Sequence, residues 1–167
     1  VETQLRGVRD VDPWVGTSNG VDFQHLRTLH GLPAVDPNAV RIGEHHIEYR
    51  IDSSAFVQEG LITGVNTFSQ HLAFGDQDMF MLFSGAPIAH GCTRGCYAYG
   101  VRDGGRGRDA VAEKLDSVGR LVHQLIAEDA PVLDTIRFRP GALVASDRHL
   151  ARFLRYVRRF PRAQPPG

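Results

Sequence analysis

The sequence predicts an α+β fold in which a curved antiparallel sheet grips one long helix. Three observations carry that expectation. From Val40 onward, apolar and polar residues alternate with a period of two over several short runs. Between Asp109 and about Asp129 the apolar residues recur instead at helical spacing, over more turns than elsewhere in the chain. A shorter helical pattern follows from Ser146, so strands are combined with one long and one terminal helix.

The 167 residues suit a single domain, 1–167, with enough chain for a real core. Lys plus Arg and Asp plus Glu number 19 each, so no net field favours nucleic acid or an anionic membrane. No apolar run reaches membrane-spanning length, and no signal peptide opens the chain. Cys92 and Cys96 are too few for a disulfide framework or a four-cysteine zinc site. They read as free thiols in a reduced, cytoplasmic setting.

Residues 1–17 are mixed and polar, with a turn at Asp12-Pro13-Trp14, and read as a lead-in whose Trp14 packs near the adjoining helix. Residues 19–30 then concentrate an amide, a carboxylate and two imidazoles: Asn19, Asp22, His25 and His30. Ser18 or Asn19 can cap one or two turns of helix there, with Val21, Leu26 and Leu29 apolar. Residues three apart share a helix face, so Asn19, Asp22 and His25 line up. His30 lies five on from His25, about 140° further around a regular helix. The imidazoles converge only if that turn widens into a π-bulge or the helix breaks before Gly31. Two neutral imidazoles suit several divalent metals. The spacing alone equally allows two unrelated histidines, one packed and one solvated. The His-Glu-x-x-His signature of zinc hydrolases is absent.

Residues 32–38 read as a loop. Val40, Ile42, Ile47, Tyr49 and Ile51 then alternate with Arg41, Glu48, Arg50 and Asp52, as in half-buried strands. Adjacent strand residues point to opposite faces, so Glu44-His45-His46 does not converge as a metal cluster and reads as solvated. After a turn at Ser53-Ser54, residues 56–74 are strand-like, interrupted at Gly60 and Gly64. Asn66, Gln70 and His71 either point into a pocket or serve as hydrogen-bonded sheet residues. A hairpin-type turn at 75–78 leads to the apolar run 79–83, expected to be covered on both faces. Residues 87–91 read as a loop entering a strand from Gly95 to Arg102, and 103–107 as a flexible connector.

In the long helix Val111, Leu115, Val118, Leu121, Val122, Leu125 and Ile126 face one way. The pattern ends at Glu128-Asp129-Ala130-Pro131, where the proline lacks an N–H and loosens the helix. Asp129 follows Ile126 by three and Leu125 by four, so it extends the buried face, whereas Glu128 lies on a more exposed flank. A carboxylate on an apolar face is costly unless paired or metal-bound. In the last helix Leu150, Phe153, Leu154 and Val157 make the apolar stripe, and the surrounding arginines read as solvated. Pro161 and Pro165-Pro166 end the fold.

The pattern Asn19-x-x-Asp22-x-x-His25-x4-His30 resembles the mononuclear-iron motif in the catalytic domain of Rieske-type ring-hydroxylating and demethylating oxygenases. About a hundred residues on, residues 127–133 (Ala-Glu-Asp-Ala-Pro-Val-Leu) resemble that family's Glu-Asp segment, whose aspartate is the third iron ligand. Gly85-Ala86-Pro87-Ile88 followed by Thr93-Arg94-Gly95-Cys96-Tyr97 is similar to a strand pair of its catalytic sheet. Together these cover most of the chain in the family's order.

The resemblance implies a helix-grip (START/Bet v 1-like) domain with a hydrophobic cavity between sheet and helix. It implies Fe(II) held by His25, His30 and Asp129, with Asn19 nearby as a weak ligand or hydrogen-bonding neighbour. Dioxygen would then hydroxylate or oxidatively dealkylate a hydrophobic aromatic or polycyclic substrate. An aspartate matching Asp22 bridges, in the family, to a cluster-ligand histidine of a neighbouring subunit; Asp22 can also orient the His25 ring. The implied partners are a Rieske domain or subunit, a reductase or ferredoxin, and two further copies in a homotrimer. The Cys-x-His and Cys-x-x-His pairs that hold a [2Fe-2S] cluster are absent from this chain, which begins at Val1 without an initiator methionine. The expectation is therefore the catalytic part of a longer protein, or one product of a split gene. Two alternatives remain open from the residues: a non-catalytic module of the same fold that binds a hydrophobic ligand, and a zinc hydrolase using the same histidines.

Overall fold

The computed structural model describes residues 1–31, 36–75, 77–136 and 142–161. Seven strands form one antiparallel sheet: β1 (Glu2–Arg9), β2 (Val40–Ile42), β3 (His46–Asp52), β4 (Val57–Thr63), β5 (Thr67–Phe74), β6 (Gln77–Ala89) and β7 (Cys92–Val101). They lie side by side in the order β1-β7-β6-β5-β4-β3-β2, so β2 to β7 make a meander and β1 returns to its far edge. Helices α1 (Pro13–Ser18) and α2 (Phe23–His30) connect β1 to the meander, α3 (Arg108–Thr135) follows β7, and α4 (Arg148–Arg159) comes last. This is the α+β helix-grip arrangement that the sequence predicts.

Period two places one face of each strand inward. Ile47, Tyr49 and Ile51 of β3, Gln58 and Ile62 of β4, and Tyr97 and Tyr99 of β7 are all buried. Register aligns them across the sheet, so that Tyr49, Gly60, Gln70, Met81 and Tyr99 form one row. Two apolar clusters cover this face. In one, Phe153 of α4 and Phe23 of α2 pack with Ile47, Tyr49, Ile62 and Phe68; in the other, Val118 and Val122 of α3 pack with Met79, Tyr97 and Tyr99. Trp14 packs against the first cluster, and its indole N–H donates to Asp12 Oδ2 at 3.2 Å.

Several boundaries differ from the sequence reading. The polar lead-in is in fact the edge strand β1, and residues 87–89, expected as loop, belong to β6. The apolar run 79–83 is covered on one side only among the described residues: Met79 is buried while Phe80 and Leu82 are 37% and 41% exposed. α3 does not loosen at Asp129 but continues to Thr135 with Pro131 inside it. Tertiary contacts outweigh the lost N–H. Arg9 of β1 donates to the Ala130 carbonyl at 3.0 Å and ion-pairs with Asp134, and the Thr135 hydroxyl caps the carbonyls of Pro131 and Val132. The loop expected at 32–38 falls mostly on residues 32–35, outside the described ones, as do Pro165 and Pro166.

His149 sits in the apolar face of α4, buried, edge-on to Phe23 at 5.1 Å between ring centroids. Neither ring nitrogen has a hydrogen-bond partner among the described residues. Burial, and then the Arg148 and Arg152 charges, lower its pKa from the ordinary histidine value. The unfolded chain therefore takes up a proton at higher pH than the native one, so His149 leaves stability unaffected above that ordinary value and erodes it below. Thermal melts from about pH 7.5 to about 5 are expected to show a smaller fall for His149→Leu than for the parent chain. Parallel curves would assign the acid sensitivity elsewhere.

Candidate metal centre

Asp22 begins α2 by leaving helical geometry and accepting the backbone N–H of His25 on Oδ1 at 3.1 Å. Gly31 ends it in the left-handed region at φ 68°, where a side chain would be strained. The result is a two-turn α-helix with one histidine in its first turn and the other as its last residue. No π-bulge is needed. The break falls directly before Gly31, and the two rings reach from opposite ends toward one point. Their centroids are 4.8 Å apart with planes at 80°.

That point is Asp129. His25 Nε2 lies 2.8 Å and His30 Nε2 3.1 Å from the same carboxylate oxygen, Oδ1. The other oxygen accepts the Asn19 amide N–H at 2.6 Å. Asn19 reaches it from a 3-10 turn (Asn19–Val21) rather than from the helix that carries the histidines. Burial pushes the Asp129 carboxyl upward. The His25 hydrogen bond and charge, the Asn19 hydrogen bond and the His30 charge outweigh it, and the pKa ends below the ordinary aspartate value. The group is thus kept as a carboxylate although Asp129 is only 9% exposed.

Glu128 is nearer than its sequence position suggests, with Oε2 3.4 Å from His30 Nδ1. Consecutive helix residues lie about 100° apart, so Asp129 and Glu128 can approach one imidazole from two sides. A carboxylate on Nδ1 favours the tautomer that leaves Nε2 free to ligate. His25 Nδ1, by contrast, is buried without a partner among the described residues. Asp22, expected to orient that ring, binds the backbone amide instead. Glu44, His45 and His46 are all exposed and stand apart from this group.

The donor set fits a divalent transition metal. An imidazole nitrogen or carboxylate oxygen bonds such an ion at about 2.1 Å, so neighbouring ligands at right angles lie about 3 Å apart. The two Asp129–histidine distances straddle that value. All three ligand atoms fall within 4.8 Å of one another, and among the described residues this is the one group of its kind. A cavity of about 320 Å³ opens beside it between sheet and α3. Asn19, His30 and Asp129 line one side, and Phe68, Met79, Phe83 and Val122 supply apolar wall. A larger hollow, about 680 Å³, lies on the outer sheet face among Arg50, Glu59, Leu61 and His71. None of the three donors lines it.

Comparison with solved structures yields the same fold. NdmA of Pseudomonas putida CBB5, solved with caffeine, matches with a TM-score of 0.64 and 14% identity over 94% of this chain and 51% of that one. NdmB of the same organism matches with a TM-score of 0.61 and 13% identity over 92% and 48%. This chain therefore spans about half the length of these two solved structures. No family model matches it, and no curated protein does.

Proposed function

We propose that this chain is the catalytic domain of a Rieske-type non-haem iron oxygenase, with His25, His30 and Asp129 as the ligands of Fe(II). The observation that carries the proposal is the meeting of both Nε2 atoms on one Asp129 oxygen, at 2.8 and 3.1 Å, beside an apolar cavity. The sequence motif and the fold shared with NdmA and NdmB support it. Iron in a site of two imidazoles and one carboxylate supplies dioxygen activation for hydroxylation or oxidative dealkylation.

The chain's own residues do the rest. Asn19 holds Asp129 in one rotamer through Oδ2, leaving Oδ1 for the ion. Glu128, 3.4 Å from His30 Nδ1, favours the tautomer with its proton on that nitrogen. The apolar wall excludes water and seats a small hydrophobic substrate, a reading in keeping with the NdmA structure solved with caffeine. Asp22, whose Oδ1 caps α2 through the His25 backbone N–H, is assigned in this proposal the role of passing electrons from a cluster-bearing domain. That domain, its reductase or ferredoxin and a trimeric assembly belong to the proposal. Among the described residues no helix is long and apolar enough to cross a membrane.

Anaerobic titration of the metal-free chain with ferrous iron, read by elemental analysis after desalting, tests the assignment. About one equivalent is expected to be retained, and His25→Ala and His30→Ala should each reduce it at least about tenfold. Equal iron in parent and variants would remove the triad. The cavity alone would serve a ligand-carrying module equally well, and that is the reading such a result would leave.

A further inference from the structure

The wall of the cavity away from the iron ligands is not uniformly apolar. Gln58, only 5% exposed, projects from β4 into it and donates through Nε2 to Tyr49 Oη at 3.2 Å and to Gln70 Oε1 at 2.8 Å. All three residues line the cavity. A buried amide on an otherwise apolar face is costly, and an apolar residue would fill the place without that cost. The cluster is also built with care. A Cβ on Gly60, between β3 and β5 in the same row, would lie 2.2 Å from the Tyr49 ring, so glycine makes room for the phenol to lie flat over β4. Phe23 and Phe68 flank that ring from other sides.

The hydrogen-bond inventory leaves two functions over. Gln58 spends its N–H groups on Tyr49 and Gln70, and its carbonyl oxygen accepts from nothing among the described residues. Tyr49 accepts from Gln58, and its own proton has no acceptor among them. Burial raises the Tyr49 pKa, so the phenol keeps that proton. A free donor and a free acceptor therefore stand side by side, both neutral, with no cation in the cluster. Two arginines, Arg6 and Arg9, line the same cavity from β1, on the far edge of the sheet, and Arg9 is ion-paired with Asp134.

We propose that Tyr49 and Gln58, braced by Gln70, are the specificity-determining residues of this cavity and select a neutral fused-ring molecule bearing a lactam or similar amide edge. Tyr49 donates to the carbonyl of that edge, and Gln58 accepts its N–H. The volume, about 320 Å³, lies at the small end of ligand sites and suits one or two fused rings. Phe68, two residues before Gln70 on β5 and so about 7 Å along the strand, lies under Gly20 beside Asn19. The polar cluster thus fixes one edge of the ring system and sets which atom is presented to the metal side. This substrate class rests on the oxygenase reading only for the chemistry after binding; the recognition itself does not.

The test uses the metal-free 167-residue chain and three probes of similar size: 2-quinolone, naphthalene and quinoline-2-carboxylate, by equilibrium dialysis. Naphthalene has the rings without the edge, and the carboxylate replaces the neutral edge by a charge. 2-Quinolone is expected to bind at least about tenfold tighter than naphthalene. Gln58→Leu should bring the two within about threefold by weakening 2-quinolone, with naphthalene held at least as tightly as by the parent, which also reports that the cavity is intact. Tyr49→Phe keeps the ring and removes only the donor, and should weaken 2-quinolone alone, so the proposal stays exposed even if the Gln58 variant misfolds. Equal affinities in the parent chain, a preference that survives both variants, or tightest binding by the carboxylate with loss on Arg6→Gln would each overturn it. Iron plays no part in these measurements. Failure here leaves the metal triad standing, and failure of the iron titration leaves this recognition site standing.

Discussion

Replacing Asp129 with alanine is expected to abolish retention of ferrous iron, with affinity falling at least about a hundredfold, whereas Glu128→Gln retains the metal within about tenfold. The asymmetry follows from the distances. Asp129 Oδ1 is the atom on which both imidazoles converge, at 2.8 and 3.1 Å, while Glu128 stands 3.4 Å behind the far nitrogen of one of them. Removing the first takes away a ligand and the anion that draws the rings together. Removing the second only relaxes the tautomer of His30. Calorimetric titration of the three proteins side by side measures it. Iron held equally by the parent and by Asp129→Ala would sink the triad, and comparable losses in both variants would make Glu128 a ligand rather than an orienting group.

The second large effect is on stability. Phe153→Ala is expected to cost about 3–5 kcal/mol, seen as a fall in melting temperature on the order of 10 °C. Phe153 is fully buried at the centre of the cluster that joins α4 to α2 and to β3, β4 and β5, so truncation opens a void that backbone on several sides keeps from collapsing. Val157→Ala, at the partly buried margin of the same stripe, should cost much less. α2 rests on this cluster through Phe23, so the Phe153 variant should also bind iron more weakly, though far less so than the Asp129 variant. Thermal melts with and without ferrous iron separate the two consequences.

Legibility of the fold and of the site in the residues divides along physical lines. α3 was legible because its apolar positions repeat over many turns, and the burial of Asp129 followed from its place in that stripe. The meander was legible wherever one face is apolar and the other polar. β1 was not, because its inward residues are themselves polar. Glu2 and Gln4 accept hydrogen bonds from the Tyr99 and Tyr97 hydroxyls at 2.6 and 2.7 Å, while Leu5 is exposed, so alternation is inverted. The run 79–83 misled in the opposite sense, since Phe80 and Leu82 look buried by composition and stand open here. The pairings of Asn19 with Asp129 and Glu128 with His30 are tertiary and leave no local trace. His149 carried no signal because a polar residue inside an apolar stripe reads as an interruption. The row of Tyr49, Gly60 and Gln70 was hidden for another reason: register, not sequence, decides which residues of three strands face one another.

The donors around Asp129 come from widely separated stretches, 104 residues apart for His25 and 99 for His30. During synthesis both histidines leave the ribosome long before the carboxylate that unites them has been made. Every strand of the meander is translated in between. On the proposed reading, the three-ligand metal site cannot close until every strand of the sheet has been made, unlike a zinc finger, whose ligands lie close together in a short chain.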